Sequence, residues 1–112
     1  MKLFIEYGHY FEYENHKGNF RCVLKDNFHG IDADITRGQD IYYRTGYTWR
    51  WEDNPRSEVF HTKQEAFNNA FEHLFVLCPK QDRTETIEQW QDYARDNGYF
   101  DIVIMKYLNS GE

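Results

Sequence analysis

Residues 40–52 constrain this chain more than any other stretch. Ile41, Tyr43, Tyr47, Trp49 and Trp51 fall on one side of a two-residue period, and Tyr42, Arg44, Thr48 and Arg50 fall on the other. Such alternation marks a half-buried β-strand, and β-branched and aromatic side chains suit its pleated surface. Gly46 breaks the run and predicts a bulge or a hairpin turn.

The chain before this strand supplies partners for it. Residues 2–7 place Leu3, Ile5 and Tyr7 on one face of a first strand. Residues 10–14 and 20–25 are β-rich and flank Asn15-His16-Lys17-Gly18-Asn19, a hairpin pattern. Residues 27–38 are polar and read as a loop, with a short strand at 30–35. Asp53-Asn54-Pro55-Arg56 is a turn, because proline presets φ and Asp and Asn bond their own backbone. Residues 57–61 then return as a short strand.

The second half changes period. Thr62-Lys63-Gln64-Glu65 is a capping box, and Ala66, Phe67, Ala70, Phe71, Leu74, Leu77 and Cys78 follow at helical spacing. Pro79 stops that helix. A second helix starts at Asp82 or Thr84 and ends at Asn97-Gly98 in a left-handed cap. Phe100, Ile102, Val103, Ile104, Met105 and Leu108 predict a last strand. Strands followed by helices make an α+β domain spanning residues 1–112. Its expected form is an antiparallel sheet covered on one face by two helices, with a C-terminal strand. Aromatic residues are 19% of the chain, enough ring area to stabilise a thin two-layer domain.

Charge is unevenly spread. Residues 1–56 hold 8 bases and 9 acids, whereas residues 57–112 hold 5 bases and 10 acids. The acidic second half argues against duplex nucleic acid as its partner and suits a basic protein. The two cysteines, Cys22 and Cys78, read as buried thiols in a reducing cytoplasm rather than as a disulfide. The N-terminal residues lack the apolar core of a signal peptide, and no apolar run reaches the ~18 residues of a membrane span.

No catalytic signature stands out. His9, His16, His29, His61 and His73 lack metal-ligand spacing, so no metal or cofactor is expected. Arg56, Glu58 and His61 lie in and beside the expected short strand, which makes a small hydrolase or nuclease a third reading.

Two surfaces remain. On the second helix Glu85, Glu88, Asp92 and Asp96 fall within an arc of about 80°, opposite Ile87, Trp90 and Ala94. Successive carboxylates rise ~5–6 Å along the axis, close to phosphate spacing on a nucleic-acid strand. Glu65 and Glu72 on the first helix widen the field. Small size, missing catalytic motifs and segregated acidity fit an inhibitor or immunity-type module of phage or toxin systems, one that occupies a basic site on a target protein. The alternative is a single-stranded nucleic-acid-binding module using Tyr42, Arg44, Thr48, Arg50 and Arg56, since aromatic and arginine side chains on a sheet face hold single strands.

Overall fold

The structure is a computed structural model that describes residues 1–30, 35 and 38–109, the last without its side chain. The architecture is α+β, with a three-stranded antiparallel sheet and three α-helices. The chain divides into two compact units, Lys2–Ala66 and Phe67–Glu112, the latter with Met1.

The first unit holds the sheet. Strand β1 (Leu3–Glu14) is central, flanked by β2 (Phe20–Leu24) and β3 (Ile41–Trp51) in the order β2-β1-β3. The two short strands expected at 2–7 and 10–14 are one continuous strand. At the hairpin, the Asn15 side chain accepts the backbone N–H groups of Lys17 and Asn19, at 3.0 and 2.9 Å. Gly18 takes the positive φ of 81° that this tight return requires. The expected strand at 30–35 lies almost wholly outside the described residues.

Gly46 is neither a bulge nor a turn. The β1–β3 register runs without a break from Leu3↔Trp51 to Tyr13↔Ile41, and Gly46 sits squarely opposite Gly8. The glycine is needed for close approach instead. A Cβ there would stand 2.3 Å from the Phe60 carbonyl oxygen. Residues 57–60 close the outer edge of β3 at this point. Tyr47 and Phe60 exchange backbone hydrogen bonds of 2.9 and 2.7 Å, Ser57 N–H donates to the Trp49 carbonyl, and the Ser57 hydroxyl accepts from Trp49 N–H. The expected strand at 57–61 is thus a single bridge, with its remaining polar groups used as an edge clamp.

Helix α1 (Lys63–Phe75) opens at the capping threonine. The Thr62 hydroxyl accepts the Glu65 N–H at 3.1 Å and donates to the Glu65 carboxylate at 3.0 Å. The helix ends before Pro79 is reached, so Leu77, expected on the core face, is 78% exposed. Helix α2 (Arg83–Asn97) ends as its sequence predicts, with Gly98 at φ 77° donating to the Ala94 carbonyl.

The expected C-terminal strand is a helix, α3 (Ile102–Asn109). Four consecutive apolar residues, Ile102 to Met105, carry no period that separates strand from buried helix. Helical packing decides it: Ile104 is fully buried while Ile102 and Met105 are exposed. Within this second unit Phe67, Phe71 and Phe75 line one side of α1 and meet Trp90 of α2, Tyr99 and Tyr107. No helix of the described residues is long and apolar enough to cross a membrane.

Candidate functional site

Helix α2 carries the acidic stripe as its periodicity predicts. Trp90 and Ala94 are buried, and Glu85, Glu88, Asp92 and Asp96 are exposed. Arg95 partly answers the C-terminal end, with a 2.8 Å ion pair to Asp92 and a 3.8 Å approach to Asp96. Among the described residues Glu85 and Glu88 form no ion pair. Glu85 also sits in the first turn, where the helix dipole favours a negative charge. Glu72 is exposed on α1 and rims an apolar groove of about 380 Å³ formed with Phe71, Phe75, Val76, Val103, Lys106 and Tyr107. Glu65 is tied to the Thr62 cap in the other unit.

The sheet has two unlike faces. Because β1 and β3 pair in fixed register, even-numbered residues share one face and odd-numbered residues the other. The even face holds Tyr42, Arg44, Thr48 and Arg50, as the alternation predicts. It also holds Glu6 and Glu12 of β1, which sequence reasoning did not connect to them. Arg44 Nε donates to Glu12 Oε1 at 2.6 Å. Arg50 Nε and an Arg56 terminal nitrogen both donate to Glu6 Oε1, at 3.0 and 2.8 Å. Arg56 donates also to the Thr48 hydroxyl and lies over the Tyr10 ring, with only 15% of its side chain exposed. Thr48 is fully buried and donates onward to the Tyr10 hydroxyl, which itself donates to the Glu6 carbonyl. The other Glu12 oxygen accepts Val59 N–H at 2.8 Å.

The arginines on this face are therefore structural fasteners. Each is bonded to a carboxylate, and Arg50 and Arg44 also lie over the rings of Phe4 and Tyr42. A phosphate arriving here would compete with charge-assisted bonds already formed. The candidate nucleic-acid residues are brought together, in a bonded network where two carboxylates answer three guanidinium groups, since Arg50 and Arg56 share Glu6. The missing signal was cross-strand register, which a period-two pattern does not contain.

Partial burial alone would raise the Glu6 carboxyl, but the hydrogen bonds and charges of Arg56 and Arg50 hold it below its ordinary value of 4.5. A carboxyl depressed in the folded state contributes stability above its unfolded value, and that contribution is lost as pH falls through the folded value. We expect denaturation midpoints to drop as pH falls below about 4.5, with Glu6→Gln flattening that part of the curve. Equal slopes for wild type and variant would mean that the Arg50–Glu6–Arg56 contact does not persist in solution. Cys22, under the same network, has its thiol pushed up to about 12, first by burial and then by the Glu12 charge. It is neutral and unreactive near pH 7.

The odd face differs in kind. Tyr7, His9, Tyr43 and Thr45 are exposed and Tyr47 is half-buried. Tyr7 and Tyr47 rings lie 5.2 Å apart, and the His9 and Tyr43 rings are parallel within 7° at 6.1 Å. His9 Nδ1 sits 2.9 Å from the Thr45 hydroxyl and 3.1 Å from the Tyr43 hydroxyl.

Arg56, Glu58 and His61 do not assemble as a catalytic set. Arg56 is committed to Glu6 and Thr48, residues 57–59 are not a strand, and among the described residues no hydrogen bond or ion pair joins the three. Among the described residues no group of three His, Cys, Asp or Glu side chains is placed to hold a metal ion. Cys22 and Cys78 are free thiols. Neither protein-family models, curated proteins nor solved structures match this chain.

Proposed function

We propose that this is a small acidic binding protein of the inhibitor or immunity type found in phage and toxin systems. In this reading the outer face of α2, with Glu85, Glu88, Asp92 and Asp96, occupies a basic site on a target protein. It acts in the cytoplasm, where Cys22 and Cys78 stay reduced.

The observation that carries this reading is the contrast between the two charged surfaces. The arginines of the even sheet face are answered by Glu6 and Glu12. The α2 carboxylates are exposed and only partly answered, by Arg95 at one end. A helix with Trp90 and Ala94 anchored inward presents those carboxylates on a fixed scaffold. Their ~5–6 Å rise suits a groove that otherwise binds a nucleic-acid backbone. Such contacts act chiefly on the association rate and on specificity.

The test is capture of partners from the source cell on immobilised full-length protein, followed by mass spectrometry of fractions eluted with rising salt. A basic protein, eluted by about 0.5 M salt because the Debye length has then shrunk to a few Å, is expected. Capture of acidic or neutral proteins that resist salt would refute the charge-led reading.

A further inference from the structure

We propose that the odd face of the sheet is a stacking surface for single-stranded nucleic acid, distinct from the acidic face of α2. The face is defined by register. Its strand positions are Leu3, Ile5, Tyr7, His9, Phe11 and Tyr13 of β1, their partners Trp51 to Ile41 of β3, and Arg21 and Val23 of β2. None is an Asp or a Glu, although the protein carries 19 acids and a net charge of −6. The strand carboxylates Glu6, Glu12 and Glu14 all stand on the other face, and Asp26 and Asp40 lie in the connecting segments.

Charge and rings coincide on this face. Lys25 Nζ lies 5.6 Å from the centre of the Tyr43 ring, and Arg21 stands in register with Tyr13. Tyr47, Tyr7, His9 and Tyr43 follow one another at ring separations of 5.2, 6.2 and 6.1 Å. Phe11 and Phe28 continue the row at 5.6 and 4.8 Å. Two of these rings stand well clear of the protein surface, with Tyr7 60% and Tyr43 51% exposed. His9 Nδ1 lies within hydrogen-bond distance of the Thr45 and Tyr43 hydroxyls, which orient its ring beside that of Tyr43.

An unpaired base has a free π-face to lay on such rings, and its phosphate finds a cation at the edge. A duplex hides those faces within its own stack, so single strands are the occupant. A neutral sugar would gain only hydrogen bonds from Lys25, whereas a phosphate gains a charge-assisted one. Among the described residues few cations border the platform, so stacking rather than counterion release carries the binding, and its salt dependence is shallow.

The experiment is a titration of full-length protein against fluorescently labelled single-stranded DNA and RNA 12-mers at low salt, read as anisotropy, with the matching duplex as competitor. Wild type is expected to bind the single strands and to be displaced poorly by duplex. Tyr7→Ala with Tyr43→Ala should weaken binding at least about tenfold, since each of the two stacked bases lost is worth about fivefold or more. Tyr7→Phe with Tyr43→Phe should retain it. Tyr42→Ala, an exposed ring on the opposite face, should bind like wild type. Tyr7 and Tyr43 are about half exposed and pack against Tyr47 and Phe11, so the double alanine variant is expected to melt somewhat earlier than wild type, and a thermal melt run alongside confirms that it is folded at the titration temperature. No binding by wild type at tens of micromolar protein overturns the proposal, as does binding that survives the double alanine change or is lost equally in Tyr42→Ala. Glu88→Lys with Asp92→Lys should leave oligonucleotide binding intact, so this inference and the acidic-helix reading succeed or fail separately.

Discussion

Phe71→Ala is expected to cost about 3–5 kcal/mol of stability, the usual loss on emptying a buried aromatic site. Phe71 is buried in the second unit, with ring centres 4.9 Å from Phe75, 5.2 Å from Trp90 and 6.4 Å from Tyr107. It therefore touches α1 itself, α2 and α3, and its ring neighbours are held in place by one another. Rings fill such a core well, but each has few rotamers, so the remaining rings cannot simply slide inward. Guanidinium denaturation of wild type and variant measures the difference. A loss below about 1 kcal/mol would mean that the Phe67/Phe71/Phe75 stripe is not the core face of α1.

Gly46→Ala has the next largest expected effect, a loss of about 1–3 kcal/mol from overpacking. The new methyl group would meet the Phe60 carbonyl oxygen at 2.3 Å and a Val59 methyl at 2.8 Å. The valine can turn away, but the carbonyl cannot, because Phe60 is bonded to Tyr47 in both directions. The segment that clamps the edge of β3 would have to shift, putting the Val59–Glu12 bond at risk as well. Gly8→Ala is the control. It faces Gly46 across the sheet, but its nearest neighbours are Tyr10 and Leu24 side-chain atoms at 3.1–3.3 Å, which have to yield only a few tenths of an ångström against the bonds of the Tyr10 hydroxyl to Thr48 and the Glu6 carbonyl. Thermal melts should therefore rank wild type above Gly8→Ala above Gly46→Ala. A Gly46→Ala melt equal to wild type would remove the close approach as the reason for that glycine.

The parts of the fold that were legible in the sequence are those decided by neighbours three or four residues apart. The Thr62–Glu65 cap, the Asn15–Gly18 turn, the Gly98 stop and the inward side of α2 each rest on contacts within one turn of chain. What was not legible depends on distant partners. The arginines at 44 and 50 look like free cations until Glu12 and Glu6, 32 and 44 residues away, are set beside them. Gly46 looks like a break in a strand until residues 59 and 60 are brought against it. Ile102 to Met105 has no polar residue to give it a period, so only burial of Ile104 separates helix from strand. The same limit applies to function. The acidic stripe is a one-helix pattern and could be read directly, whereas the aromatic odd face exists only once strand register is known.

The most direct measurement of the central claim uses Glu88→Lys with Asp92→Lys, titrated against the captured partner across a range of salt. The changes turn the Asp92–Asp96 repulsion into attraction, but they keep a like-charge pair at 88 and 92 and set a second cation beside Arg95 in place of the exposed Arg95–Asp92 pair, effects of a few tenths of a kcal/mol each that largely offset. Stability should therefore stay within about 0.5 kcal/mol of wild type, which a denaturant titration verifies. Wild-type affinity should fall as salt rises, and the double variant should show no binding at low salt, where attraction between opposite charges is strongest. A folded double variant that binds the partner as tightly as wild type at low salt would contradict the account and leave the α2 carboxylates as an ordinary solvated face.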